Sequence, residues 1–151
     1  YNFQSTAINA AFGRVQLRSL PRFRRALQNV FAELMRFFGR YDKFFELARE
    51  SPSVITAWMH FPVVLKPDAP FSRLQFARYL EEHNIQTRPI FTGTVTRQPA
   101  FAHLARAGDH YPVTDYLMAR GILLGCHPGM TPERLRYLKA TVITFLKHHQ
   151  K

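Results

Sequence analysis

The chain has 151 residues, 46% of them apolar, with a formal net charge of +11. This is a globular composition, long enough for a packed core. One cysteine excludes an internal disulfide framework, and no stretch approaches the roughly 20 apolar residues of a membrane span.

The positive charge suits a nucleic acid, an anionic surface, an anionic small molecule, or a solvated face turned toward a further domain. The lone thiol and the lack of a secretory leader pattern predict a cytoplasmic protein. The first residue is Tyr1 rather than Met, which predicts a piece of a longer protein.

Residues 5–17 read as a helix, with Ser5 or Thr6 as N-cap and Ile8, Ala11, Phe12 and Val15 on one face. The small residues Ala7, Ala10, Ala11 and Gly13 predict a closely packed neighbour. A second, long helix is expected over 21–49, with Pro21 in its first turn. Phe23, Leu27, Val30, Leu34, Phe37, Tyr41, Phe44 and Ala48 form its seam at alternating spacings of four and three. A stripe this aromatic reads as packing rather than as a ligand box.

Residues 54–65 are rich in β-branched and aromatic residues and predict a strand, with Pro62 marking an edge or bulge. Ser72 and Gln75 form a capping box opening a helix to about His83, with Leu74, Ala77 and Leu80 inward. Residues 85–91 predict a short strand that Pro89 disrupts. A short helix is expected over 98–107. Another follows with Thr114 as N-cap and Gly121 as stop. A buried strand at 122–125 comes next. Thr131 and Pro132 open a last helix with Leu135, Leu138, Val142, Phe145 and Leu146 on its face. Few strands with intervening helices indicate an α/β unit with a small sheet.

The seven histidines form no metal set, and no nucleotide-binding or hydrolase fingerprint is present. Cys126 reads as a small buried residue. An imine-forming lysine needs a desolvated pocket. Lys43, Lys66, Lys139, Lys147 and Lys151 sit on polar faces, in a loop or in the tail.

The loop after the second strand is more informative. Guanidinium groups bind phosphate and carboxylate through paired charge-assisted bonds. Arg88 precedes Pro89, which holds its backbone extended. Gly93 permits a tight turn, and Thr92, Thr94 and Thr96 add hydroxyls. With Arg97, these residues suit an anionic, hydroxyl-rich ligand, set against the plainer reading of two exposed arginines on a loop.

The segment "YNFQSTAINAAFGRVQL" resembles a segment of the DegT/DnrJ/StrS class of sugar aminotransferases and dehydrases. "IQTRPIFTGTVTRQPAF" resembles the "I-x-T-R-x-x-F-x-G-N-x-T-R-Q-P" loop of its CDP-4-dehydro-6-deoxyglucose 3-dehydrase branch. "TDYLMARGILLGCHPGMTPERLRYL" is similar to that branch's C-terminal stretch. The likeness covers nearly the whole chain.

The resemblance implies the C-terminal small domain of a fold-type-I PLP enzyme. Residues 1–50 would be the helical junction and 51–151 the small α/β domain. A separate or missing N-terminal large domain would hold most of the PLP or PMP site and the catalytic Lys or His, leaving this chain without catalytic residues and inactive by itself. Asn2 matches an asparagine that reaches the cofactor phosphate of a neighbouring subunit, implying a homodimer. Arg88, Gly93 and Arg97 match the loop near the nucleotide-sugar substrate; Thr92 and Tyr116 join them on the substrate side. The chemistry implied is loss of the C3 hydroxyl from a 4-keto sugar with the cofactor as electron sink, or transamination, in deoxysugar or lipopolysaccharide biosynthesis. Three positions depart from the branch: Thr94 replaces an Asn, Tyr116 an arginine, and Ile122 an aromatic. The alternatives are a basic module for nucleic acid (the lesser expectation) or other anionic surfaces, and a catalytically dead remnant.

Overall fold

The computed structural model describes residues 6–91, 93–106 and 110–149. The expected pair of N-terminal helices is one helix, α1 (Ala7–Phe38), with Pro21 inside it. Proline removes only one backbone donor, and the periodic sequence on both sides carries the helix across. Thr6 caps it, its hydroxyl accepting the Asn9 N–H at 3.2 Å. The second half of α1 buries Val30, Phe31, Leu34, Phe37 and Phe38. The first half leaves Ile8, Phe12, Val15, Leu17 and Leu20 exposed. No neighbour packs on its small residues among the described residues: a Cβ built on Gly13 meets nothing within 4 Å.

The helix does not reach residue 49. After a 3-10 turn at Gly39–Tyr41 the chain becomes strand β1 (Phe45–Leu47). The fourth-and-third spacing runs on through Tyr41 and Phe44, but pairing decides otherwise. β1 aligns antiparallel with β2 (His60–Leu65), Phe45 opposite Leu65 and Leu47 opposite Val63. The expected strand over 54–65 shortens to β2. Val54 and Ile55 stay exposed, while Trp58 stacks on Phe31 at 5.0 Å and donates its indole N–H to Glu50 at 2.7 Å. β1 ends opposite Val63, so Pro62 has no neighbour on that side and its missing N–H leaves no gap there.

α2 (Arg73–Glu82) starts with the predicted capping box: Gln75 N–H donates to Ser72 Oγ at 3.2 Å, and Ser72 N–H to Gln75 Oε1 at 2.7 Å. It buries Phe76 and Leu80, whereas Leu74, expected inward, is exposed. Asn84 ends it in the left-handed region at φ 57°. The N–H groups of Asn84 and Ile85 bond back to the carbonyls of Glu81 and Leu80 at 3.0 and 2.9 Å, a Schellman closure.

The expected strand over 85–91 is only β3 (Thr87–Pro89), and the expected 98–107 helix is a 3-10 segment, Pro99–Leu104, preceded by a 3-10 turn at Val95–Arg97. α3 (Pro112–Arg120) begins two residues before the predicted cap, with Pro112 in its first turn, and stops at Gly121. β4 (Gly121–Gly125) and α4 (Pro132–His148) follow, the latter capped by Thr131 and burying the predicted face.

The four strands form an antiparallel sheet in the order β1-β2-β4-β3. Alternation along the strands sends Phe45, Phe61, Val63, Leu65, Ile122 and Leu124 to one face, against α2, α4 and the second half of α1. Aromatic rings fill that layer: Phe38 stacks on Phe61 at 5.4 Å and Phe71 meets Phe145 edge-on at 4.8 Å. Lys139 of α4 pairs with Glu33 of α1. α3 covers part of the opposite face, where Glu46, Val64 and Gly121 lie, and its Tyr116 hydroxyl donates to Glu46 Oε1 at 2.8 Å.

Candidate functional site

Arg88 lies on the edge strand β3, directly opposite Leu123 of β4. Opposed residues share a face, and Ile122 and Leu124 face the core, so Arg88 and Leu123 belong to the other side. Arg88 is exposed and lines a groove of about 1320 Å³. Phe23 and Leu27 of α1, His60, Leu123, His127 and Arg134 also line it. That exceeds the ~300–1,000 Å³ of common small-molecule sites.

The groove wall at residues 127–134 is held by its own hydrogen bonds. Gly129 N–H donates to His127 Nδ1 at 3.2 Å, which leaves the ring proton on Nε2. Arg134 Nη1 donates to the Gly129 carbonyl at 2.8 Å. The Glu133 carboxyl is held below its ordinary range by its own backbone N–H, then by the Thr131 hydroxyl.

The rest of the loop turns away to α3. Gly93 has φ +72°, and a Cβ there would sit 2.1 Å from Met118 Sδ. Thr94 is buried, its hydroxyl donating to Asp115 Oδ1 at 3.0 Å, while Arg97 Nη2 donates to Oδ2 at 2.7 Å. Asp115 thus clamps residues 93–97 with both carboxylate oxygens. It sits in the first turn of α3, where the helix dipole favours a negative charge. Thr94 keeps a donor at the position where the resembled branch has Asn. The Arg97 side chain remains 63% exposed.

Of the sequence-predicted residues, Gly93 and Arg97 therefore come together on α3, and Arg88 stands apart on the sheet edge beside the groove. Tyr116 is committed elsewhere: its hydroxyl bonds Glu46, and the Arg120 guanidinium lies 5.7 Å from its ring centroid. Burial first, then the Glu46 bond and charge, raise its phenol pKa, so it remains a donor. Asn2 and Thr92 lie outside the described residues. Asp115 and Met118 went unread as site residues; the Thr114-Asp115 pair in the third motif was the available signal.

A model of the DegT/DnrJ/EryC1/StrS aminotransferase family matches residues 1–143. The chain belongs to this family. The lipopolysaccharide biosynthesis protein RfbH of Salmonella typhimurium is 31% identical over 139 residues, covering 91% of this chain and 32% of the relative. A dTDP-4-dehydro-2,6-dideoxy-D-glucose 3-dehydratase of Saccharopolyspora spinosa is 28% identical, covering 97% and 32%. Among solved structures, the E. coli GDP-4-keto-6-deoxy-D-mannose-3-dehydratase with bound hydrated PLP superposes with a TM-score of 0.81 at 22% identity, covering 93% of this chain and 36% of the other. An aminotransferase from Psychrobacter cryohalolentis gives 0.87 at 17% identity, covering 99% and 41%.

The fold is that of the fold-type-I PLP family: a small sheet packed with helices and preceded by a long helix. This DegT/DnrJ/EryC1/StrS family chain spans about a third of the length of the curated relatives it matches. Those relatives include sugar 3-dehydratases, a transaminase and a lipopolysaccharide biosynthesis protein.

Among the described residues, no lysine lines the groove. Lys139 is engaged by Glu33, and Lys43 lies 4.5 Å from the Phe44 ring centroid. Among the described residues no cluster of His, Cys, Asp or Glu could hold a metal ion, and no helix is long and apolar enough to cross a membrane.

Proposed function

We propose that the chain is the C-terminal portion of a cytoplasmic PLP- or PMP-dependent nucleotide-sugar dehydrase or aminotransferase, contributing substrate binding and dimer contacts. The observation that carries the substrate role is Arg88, exposed beside a large groove and lying within the residues the family model matches. Its fork would take the substrate diphosphate. Arg97, fixed by Asp115 yet largely exposed, still offers free N–H donors from the same loop. Gly93 and Thr92 complete the proposed substrate side; Tyr116, expected there from the sequence, is left out because its hydroxyl already donates to Glu46.

The large domain would lie outside these residues. Supporting this, the first half of α1 exposes an apolar ridge that continues the stripe buried further along the same helix. Residues 1–50 would then be the junction and 51–151 the small domain, with the end of the junction packed into the small domain's core. PLP or PMP would be held mainly by that large domain, with Asn2 reaching its phosphate across a homodimer. When bound, the cofactor supplies the electron sink.

Calorimetry with CDP, GDP and dTDP is the test. One of them should bind the chain, and Arg88→Ala should weaken it about 10- to 150-fold, the worth of a charge-assisted hydrogen bond. The chain alone should show no pyridoxal absorbance. Binding that is indifferent to Arg88 would remove the assignment.

A second reading has one specific support. Residues 1–32 hold no acidic residue, and Arg14, Arg18, Arg22 and Arg25 fall on one helical stripe. Tight DNA binding that falls steeply with salt would favour a nucleic-acid module instead.

A further inference from the structure

We infer that Phe91 is an aromatic contact residue of the groove, stacking on the base of the nucleotide; this rests on the reading of the groove given above. Among the described residues, two non-glycine residues have positive φ, Asn84 and Phe91. Asn84 is accounted for by the Schellman closure of α2. Phe91, at φ 52°, closes no helix. A bulky residue in that region is strained, and such strain persists where the surroundings impose it, often at ligand sites.

The surroundings here are anchored on both sides. Ile90 packs against Gly121 so closely that a Cβ on that glycine would lie 2.5 Å from Ile90 Cδ1. Beyond the turn, Thr94 and Arg97 are clamped to Asp115. Between these anchors the phenyl ring is held outward, 83% exposed. It lines the same groove as Arg88, three residues earlier. A cation and a flat apolar face lining one groove match the diphosphate and the base of a nucleotide. Aromatic stacking tolerates any base because each has a π face, so the residue would add affinity without selecting among bases.

The test is titration of CDP, GDP and dTDP, with inorganic pyrophosphate as the base-free control. The proteins are the full chain, Phe91→Ala, Phe91→Trp and Arg88→Ala, each checked for native far-ultraviolet circular dichroism. Phe91→Ala should weaken the nucleoside diphosphates about five- to 150-fold and leave pyrophosphate unchanged, while Phe91→Trp should retain binding. An equal loss for pyrophosphate would mean a distorted loop and overturn the stacking role. Unchanged nucleotide affinity in Phe91→Ala, with loss in Arg88→Ala, would overturn it too while leaving the groove assigned. Failure of the unsubstituted chain to bind any of the probes would remove the groove reading and this inference with it.

Discussion

Replacing Gly93 by alanine should disturb the loop in two separable ways. The backbone at φ +72° costs an L-residue with a Cβ about 1–2 kcal/mol. The added methyl would also lie 2.1 Å from Met118 Sδ, 2.8 Å from its Cγ and 2.9 Å from its Cβ, against ordinary contacts of roughly 3.5–4.0 Å. Shifting the flexible sulfur alone is insufficient, because the Met118 Cβ is fixed by α3. Overpacking of this kind adds about 1–3 kcal/mol.

The loop has an escape, which is to leave α3. Doing so loses an exposed Arg97–Asp115 pair worth at most ~1 kcal/mol and strands the Thr94 hydroxyl, at about 1–3 kcal/mol if it stays buried. The lesser loss wins, so Gly93→Ala should lower urea stability by about 1–4 kcal/mol and speed tryptic cleavage after Arg97. Adding Met118→Ala should recover the packing part but not the backbone part. Stability within about 0.5 kcal/mol of the parent with unaltered cleavage, or no recovery in the double variant, would refute the reasoning.

Asp115→Ala should likewise expose Arg97 to trypsin, with a stability loss of about 1–3 kcal/mol from the stranded Thr94 hydroxyl; Asp115→Asn, which keeps an acceptor, should fall between. Unchanged protection in Asp115→Ala would show that the clamp does not hold the loop. Cys126 is buried, and burial pushes its thiol from 9.0 to about 11. A raised value in the folded state contributes stability that is complete below about pH 9 and lost as pH rises toward 11. The ceiling is about 2.7 kcal/mol at ~1.36 per unit. Urea melts between pH 8 and 11 should show the decline, and a thiol-directed disulfide reagent should modify Cys126 only on unfolding. Immediate modification of the native chain would contradict this.

Where the governing contacts are three or four residues apart, the sequence was legible. The Ser72–Gln75 box, the Thr131 cap and the buried face of α4 all stand as read. The family was legible too, because its motifs are contiguous runs. The misreadings arose where a local pattern met a distant partner. Helical spacing continued through Tyr41 and Phe44, yet pairing with residues 63–65 made strand β1. Strand-like residues at 54–59 found no strand to pair with, so β-propensity alone left them irregular.

The same division holds at the candidate site. Arg88, Gly93 and Arg97 stood out as candidates from residue type and motif. That Arg88 borders a groove while Arg97 is tied to Asp115, 18 residues further on, was decided by the sheet order and by α3 crossing the sheet's second face. Capping and periodicity are written into neighbouring residues, whereas the company a side chain keeps across the fold depends on which distant surfaces bury each other.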